Sequence, residues 1–131
     1  MKLLKAKKMD LSRYVYKRGN LSVIENFKNI PFEIKRVYWI YDVPSGEKRG
    51  GHAFHKNEEL VVAMSGSFDL FLSDGISEIS YTLNRPDQGF LVPAEIWREL
   101  KNFSTNAQVL VLASSQYNPD DYIWDKSSLI K

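Results

Sequence analysis

The chain contains two imidazoles, His52 and His55, and imidazole is the side chain that changes protonation state nearest neutral pH. Such a pair could move protons or hold a metal ion. Three residues apart, the two would share one face of a helix. Gly50 and Gly51 precede them, however, and the segment reads as extended. On a strand the two rings point to opposite faces, so at most one serves a given pocket. Other groups extend the chemistry. Tyr38 is a second proton carrier, while Arg49 and Arg98 are fixed cations. A histidine and a tyrosine beside an arginine suit proton abstraction next to a carbonyl, because the enolate that forms needs a cationic or hydrogen-bonding partner. Arg18, Lys35, Arg36, Arg49 and Arg98 are dispersed in sequence but can converge at the mouth of a barrel. Arginine is a good clamp for a diphosphate because its fork is planar and multidentate. The absence of cysteine excludes disulfides, thiolate metal sites and cysteine nucleophiles.

These groups need β-strands to position them. The turn Arg18-Gly19-Asn20 separates a segment carrying Tyr14 and Tyr16 from the alternating Leu21 and Val23. A long strand is predicted over Phe32–Val43, between Pro31 and Pro44-Ser45-Gly46. It places Tyr38, Ile40 and Asp42 on one face, with Lys35, Val37, Trp39 and Tyr41 on the other. Short strands follow at His52–His55, Leu60–Ser65, Phe68–Leu72, Ile76–Leu83, Phe90–Val92, Ile96–Leu100 and Ala107–Ser114. Gly and Pro turns between β-branched and aromatic runs predict an all-β sandwich or barrel of the jelly-roll kind. Asn118-Pro119-Asp120-Asp121 supplies a cap, a proline and two acids, the start signals of a helix. A short C-terminal helix is therefore expected over Pro119–Leu129, with Tyr122, Ile123, Trp124 and Leu129 packing on the barrel.

At 131 residues and 44% hydrophobic content, one domain spanning 1–131 can bury a core without covalent staples. That composition excludes intrinsic disorder. A formal charge of +2 is too balanced to suggest nucleic-acid binding. No apolar run is long enough to cross a membrane, and Met1–Asp10, with Lys2, Lys5, Lys7 and Lys8, has no signal-peptide core. A cytoplasmic location is expected.

The spacing around His52 is informative. Gly46, His52, Phe54, Glu59 and Gly66 fall at the intervals of the first cupin motif, G-x5-H-x-H-x3,4-E-x6-G. Pro93, Arg98 and Asn102 resemble the second motif. The chain thus resembles a cupin, with Phe54 and Arg98 where a metal-binding member has histidines. Phenylalanine cannot ligate, and a guanidinium repels a divalent ion. No metal or other cofactor is expected.

A closer resemblance covers about 90% of the chain. It runs through Arg18–Glu25, Pro31–Val43, Arg49-Gly50-Gly51-His52-Ala53 and Met64–Ser67, then through Asp74-Gly75, Trp97-Arg98-Glu99, Val111–Ser114 and Asp120–Ile123. In these segments the chain is similar to the nucleotide-sugar 3,4-ketoisomerases, the WxcM-like cupins. The resemblance implies a homodimer with exchanged N-terminal strands, acting on dTDP-4-keto-6-deoxyglucose to move its carbonyl from carbon 4 to carbon 3. The product would lead towards a 3-acetamido-3,6-dideoxyhexose of surface glycans. The resemblance also implies that His52 and Tyr38 are catalytic and that Arg49, Arg98, Arg18, Trp97 and Glu59 contact substrate. The family's second histidine falls on Phe54. Either His52 works without a second imidazole, or a β-bulge turns His55 inward in its place. The alternatives are a silent nucleotide-sugar-binding cupin and a sugar 3,5-epimerase.

Overall fold

Alternation of apolar and polar residues builds strands that bury one face each, and the computed structural model, which describes residues 2–130, contains twelve. In chain order they are β1 (Lys7–Asp10), β2 (Ser12–Tyr16), β3 (Gly19–Val23), β4 (Arg36–Ile40), β5 (Arg49–Phe54) and β6 (Glu59–Ser65). The remainder are β7 (Phe68–Ser73), β8 (Glu78–Leu83), β9 (Gln88–Val92), β10 (Trp97–Lys101), β11 (Gln108–Ala113) and β12 (Tyr122–Ile123). One five-stranded sheet runs β1-β9-β6-β11-β4 and the other β12-β5-β10-β7-β8, while β2 and β3 form a separate hairpin. All strand pairs are antiparallel. The architecture is the expected all-β jelly roll.

The core lies between the two sheets. Val61, Phe90, Val109 and Val111 from the first sheet meet Phe68, Leu70, Leu72 and Leu100 from the second. The alternate residues Leu60, Val62, Leu91 and Leu112 face outward from the first sheet and are covered by Leu11, Ile30 and Phe32. Lys7 and Lys8 lie on β1, an edge strand paired with β9. Charge on an edge opposes pairing with other chains.

Two expected elements differ in extent. The long strand shrinks to Arg36–Ile40, because Ile34 is held by the Asn26 side chain at one end and Asp42 turns the backbone to φ 56° at the other. The C-terminal helix is not continuous. Asn118 caps a 3-10 turn at Pro119–Asp121, as its sequence signals indicate, but Tyr122 and Ile123 then pair with Phe54 and Ala53. A second 3-10 turn follows at Lys126–Leu129. Strand geometry sends Ile123 into a buried cluster with Ala53, Trp97 and Leu129 and Tyr122 to the other side. A helix would not separate these neighbours in that way.

Candidate active site

A cavity of about 340 Å³ opens between the sheets, with walls from β4, β5, β6, β10 and β11 and from the C-terminal segment. A backbone irregularity in β5 determines which residues face it. Arg98 pairs with His52, but the next residue, Glu99, pairs with Gly50, so Gly51 is an extra residue in the ladder. This β-bulge needs glycine: Gly50 and Gly51 have φ of 87° and 76°, and a Cβ on Gly50 would lie 2.9 Å from the Arg98 carbonyl oxygen. The bulge reverses the alternation upstream, so Arg49 and His52 both line the cavity although they are three positions apart.

No bulge intervenes between His52 and His55. His55 is exposed beyond the end of β5, its backbone N–H donating to the Asp121 carbonyl at 2.9 Å. The second imidazole therefore does not replace the missing one. His55→Asn is expected to change turnover by less than about twofold, the ordinary outcome for an exposed group away from the reacting atoms; a steady-state assay checks it.

Beneath the cavity lies a buried polar network. Glu59 and Arg98 are 1% and 2% exposed, so neither charge has water to solvate it. Arg98 Nη1 donates to Glu59 Oε1 at 2.5 Å, and Arg98 Nη2 donates to the Ile96 carbonyl at 3.1 Å. The Tyr38 hydroxyl donates to Glu59 Oε2 at 2.8 Å, and the Asn57 amide donates to the same oxygen at 3.2 Å. Arg36 approaches that oxygen at 3.8 Å. One carboxylate thus anchors a tyrosine and two arginines. Burial, reinforced by the charge on Glu59, pushes the Tyr38 hydroxyl well above its ordinary pKa, so it remains a hydrogen-bond donor.

His52 has a different environment. Phe54, next on the same strand face, meets it edge-on with ring centroids 4.9 Å apart. Tyr122 and Trp124 lie at 5.0 and 5.6 Å, and the Arg98 guanidinium lies over the Phe54 ring at 4.8 Å. Burial, with the charges of Arg98 and Arg36 adding to it, lowers the pKa of His52 to about 4, against the opposing effect of a hydrogen bond to the Gly50 backbone. The ring is therefore neutral at physiological pH. Its Nε2 is buried with no hydrogen-bond partner, as are Nε of Arg36 and Nε of Arg98. Buried polar atoms are ordinarily paired, and a basic nitrogen and two cationic donors without protein partners, on residues lining one cavity, suit a ligand carrying an acidic C–H and an oxyanion.

The donor set does not fit a divalent ion. At the motif positions His52 stands beside Phe54, and both Glu59 oxygens are engaged by Arg98, Tyr38 and Asn57. Among the described residues, no cluster of three His, Cys, Asp or Glu could hold a metal. Treatment with EDTA is expected to leave the turnover rate unchanged, as an assay before and after dialysis against chelator would show.

The remaining expected site residues separate. Tyr38, Arg49, His52, Glu59 and Arg98 line the cavity together. Trp97 faces away from it, buried with Ala53, Ile123 and Leu129, and its indole N–H donates to Glu99 at 2.9 Å. Arg18 is exposed in the two-residue loop of the β2–β3 hairpin and is outside the cavity lining. Sequence reasoning treated Arg36 only as one of several scattered cations and missed Asn57 and Tyr117, the latter lining the cavity with its ring under the Arg36 guanidinium at 5.7 Å. Trp124, expected to pack, is 68% exposed and stacks on Tyr122 at 5.1 Å. The alternation of Tyr122 with Ile123 was the available signal for this wall.

The jelly roll and its histidine-centred cavity are those of a cupin. The family model described as "FdtA: WxcM-like, C-terminal" matches residues 4–131, and the chain belongs to that family. A TDP-4-oxo-6-deoxy-alpha-D-glucose-3,4-oxoisomerase from Aneurinibacillus thermoaerophilus is 41% identical over 117 residues, covering 89% of this chain and 84% of the relative. A 3,4-ketoisomerase from Helicobacter canadensis superposes with a TM-score of 0.92 at 42% identity, covering 95% of this chain and 94% of its own. The 3,4-ketoisomerase QdtA from Thermoanaerobacterium thermosaccharolyticum gives 0.92 at 32% identity, covering 95% and 91%. That structure is a histidine-to-asparagine mutant in complex with TDP-4-keto-6-deoxyglucose.

Proposed function

We propose that this 3,4-ketoisomerase converts TDP-4-keto-6-deoxyglucose to the corresponding 3-keto sugar by metal-independent proton transfer. The observation that carries the reading is the half-buried, neutral His52 on the cavity wall, whose Nε2 is buried without a protein partner. His52 takes the proton from carbon 3. The electron pair of that C–H bond becomes the C3=C4 double bond, and the former carbonyl oxygen at carbon 4 takes the negative charge. The unpaired Nε donors of Arg36 and Arg98 supply cationic hydrogen bonds to that enediolate. Transfer of the hydroxyl proton from the oxygen at carbon 3 to the oxygen at carbon 4, and return of the proton held by His52 to carbon 4, complete the isomerisation without net oxidation. The imidazolium formed midway sits in a site that disfavours its charge, so it gives its proton up readily. Tyr38, held by Glu59, orients substrate oxygens, while Arg49 at the rim binds the diphosphate. A ketone at carbon 3 is the group an aminotransferase requires, which supports a place before amino-sugar formation for surface glycans.

The proposal extends to a homodimer with exchanged N-terminal strands, in the cytoplasm. In support, β1 stays in its own sheet, but the β2–β3 hairpin pairs with neither sheet and exposes Tyr14, Val15, Tyr16 and Leu21. The edge strand β4 exposes Val37 and Trp39. An apolar hairpin and an apolar strand edge are complementary to a second copy of the chain. On the same proposal, Arg18 at the hairpin tip reaches substrate from the partner subunit. Among the described residues no helix is long and apolar enough to cross a membrane.

A proton NMR time course with TDP-4-keto-6-deoxyglucose tests the reading. Growth of 3-keto product signals is the expected result. An unchanged substrate spectrum with line broadening would replace it with a silent nucleotide-sugar binder.

A further inference from the structure

Asp121 lies outside the cavity, yet it makes four hydrogen bonds to backbone groups beside the site. Its two carboxylate oxygens accept from consecutive backbone N–H groups, Lys56 to Oδ1 and Asn57 to Oδ2, each at 3.0 Å. Its carbonyl accepts from His55 N–H at 2.9 Å, and its own N–H donates to the Asn118 carbonyl at 3.1 Å. The C-terminal segment is thereby fastened to the turn between β5 and β6. Both sides of that fastening lead into the site. One residue after Asp121, Tyr122 packs on His52 and Phe54, with centroids 5.0 and 4.6 Å away. Next to Lys56, Asn57 is 1% exposed and donates to Glu59.

We infer that Asp121 is a positioning residue: its carboxylate clamps the 56–57 turn to the C-terminal segment, and through Tyr122 it keeps water away from His52. The pairing of β12 with β5 spans two residues, too few to hold an aromatic wall in place by itself. A carboxylate shared by two N–H groups is a charge-assisted anchor and stronger than a neutral bond. The low pKa of His52 then has a structural origin, since burial is its largest cause and Tyr122 supplies part of that burial.

The inference uses the base role of His52 only to connect the clamp to turnover, so its primary test is independent of activity. The imidazoles of the full-length protein are titrated by NMR, with exposed His55 as internal reference. The other charged and titratable groups around His52 are unsubstituted in every variant: Arg98 on β10, Arg36 and Tyr38 on β4, Glu59 on β6 and Arg49 on β5. Loss of the wall removes desolvation, so the His52 midpoint moves up, towards the ordinary value of about 6.5. Asp121→Ala is expected to raise it by about one pH unit or more while the His55 midpoint stays where it was. Asp121→Asn should give a smaller rise, because the amide keeps one acceptor and turns a donor towards the second N–H. Tyr122→Leu should reproduce the rise. The Asp121→Ala/Tyr122→Leu pair should add little beyond either single change if Asp121 acts through Tyr122. The acid limb of the kcat/KM profile should move with the NMR midpoint. An unmoved His52 midpoint in folded Asp121→Ala would overturn the inference, and so would additive shifts in the double variant. A moved midpoint with no 3-keto product from the wild type would instead count against the proposed reaction and leave the clamp standing.

Discussion

Replacing His52 with asparagine is expected to lower turnover by roughly 10²–10⁴-fold, the usual contribution of a general base, while leaving the barrel folded. Asparagine is close to imidazole in reach and keeps a polar tip, but it cannot accept a proton from carbon. No neighbour in the cavity takes over. Tyr38 is committed to Glu59 as a donor, Phe54 has no titratable group, and Glu59 is held by Arg98. His55 is on the protein exterior. The assay should be run in deuterated buffer so that slow exchange at carbon 3 is seen even where net isomerisation is too slow to measure. Binding is read separately with TDP, whose affinity should change little because the nucleotide has no proton to lose to His52. Turnover within tenfold of wild type would remove His52 from the proton-transfer step. Loss of turnover together with loss of TDP binding would make His52 a binding residue instead.

How much of this was legible in the sequence follows from what each feature depends on. The strand segments and the all-β class came from local alternation and turns, which leave their signal in short windows. The boundaries of Phe32–Val43 were too generous because Asn26, eight residues before Ile34 in sequence, takes up the Ile34 N–H. The Pro119–Leu129 helix failed for a similar reason. Its cap chemistry was right, but pairing of Tyr122 and Ile123 with a strand some seventy residues earlier outweighed a weak local preference. Among site residues, spacing pointed to His52, Glu59 and Arg98. The inward turn of Arg49 depended on the Gly51 bulge, and a pair of glycines alone does not tell a bulge from a loop. Trp97, next to Arg98, was grouped with it by proximity, yet neighbours on a strand face opposite ways. Asn57 and Asp121 left no signal because their partners are backbone groups and side chains brought close only by folding.

The largest expected effect on stability comes from Glu59→Gln. The substitution keeps the volume and one carbonyl acceptor, but it removes the one anion paired with Arg98 among the described residues, and Arg98 is 2% exposed. Breaking a buried ion pair from one side costs about 3–5 kcal/mol, most of it from the charge left uncompensated. For a chain of this length that corresponds to a fall in melting temperature of roughly 10–20 °C. Turnover should fall as well, because Tyr38 and Arg36 lose the carboxylate that fixes them. The two losses can be separated by Glu59→Gln/Arg98→Met. An unbranched apolar side chain in place of the guanidinium removes the stranded charge, and apolar replacements of buried ion pairs are often neutral or stabilising. Melting temperature should therefore recover in the double variant, while activity should not, since the Nε donor of Arg98 is gone. This outcome would identify the pair as retained for placing a cation and a phenol in the cavity rather than for holding the barrel together. Recovery of neither property would make Glu59 a packing residue of the inner sheet face, with its charge incidental to the reaction.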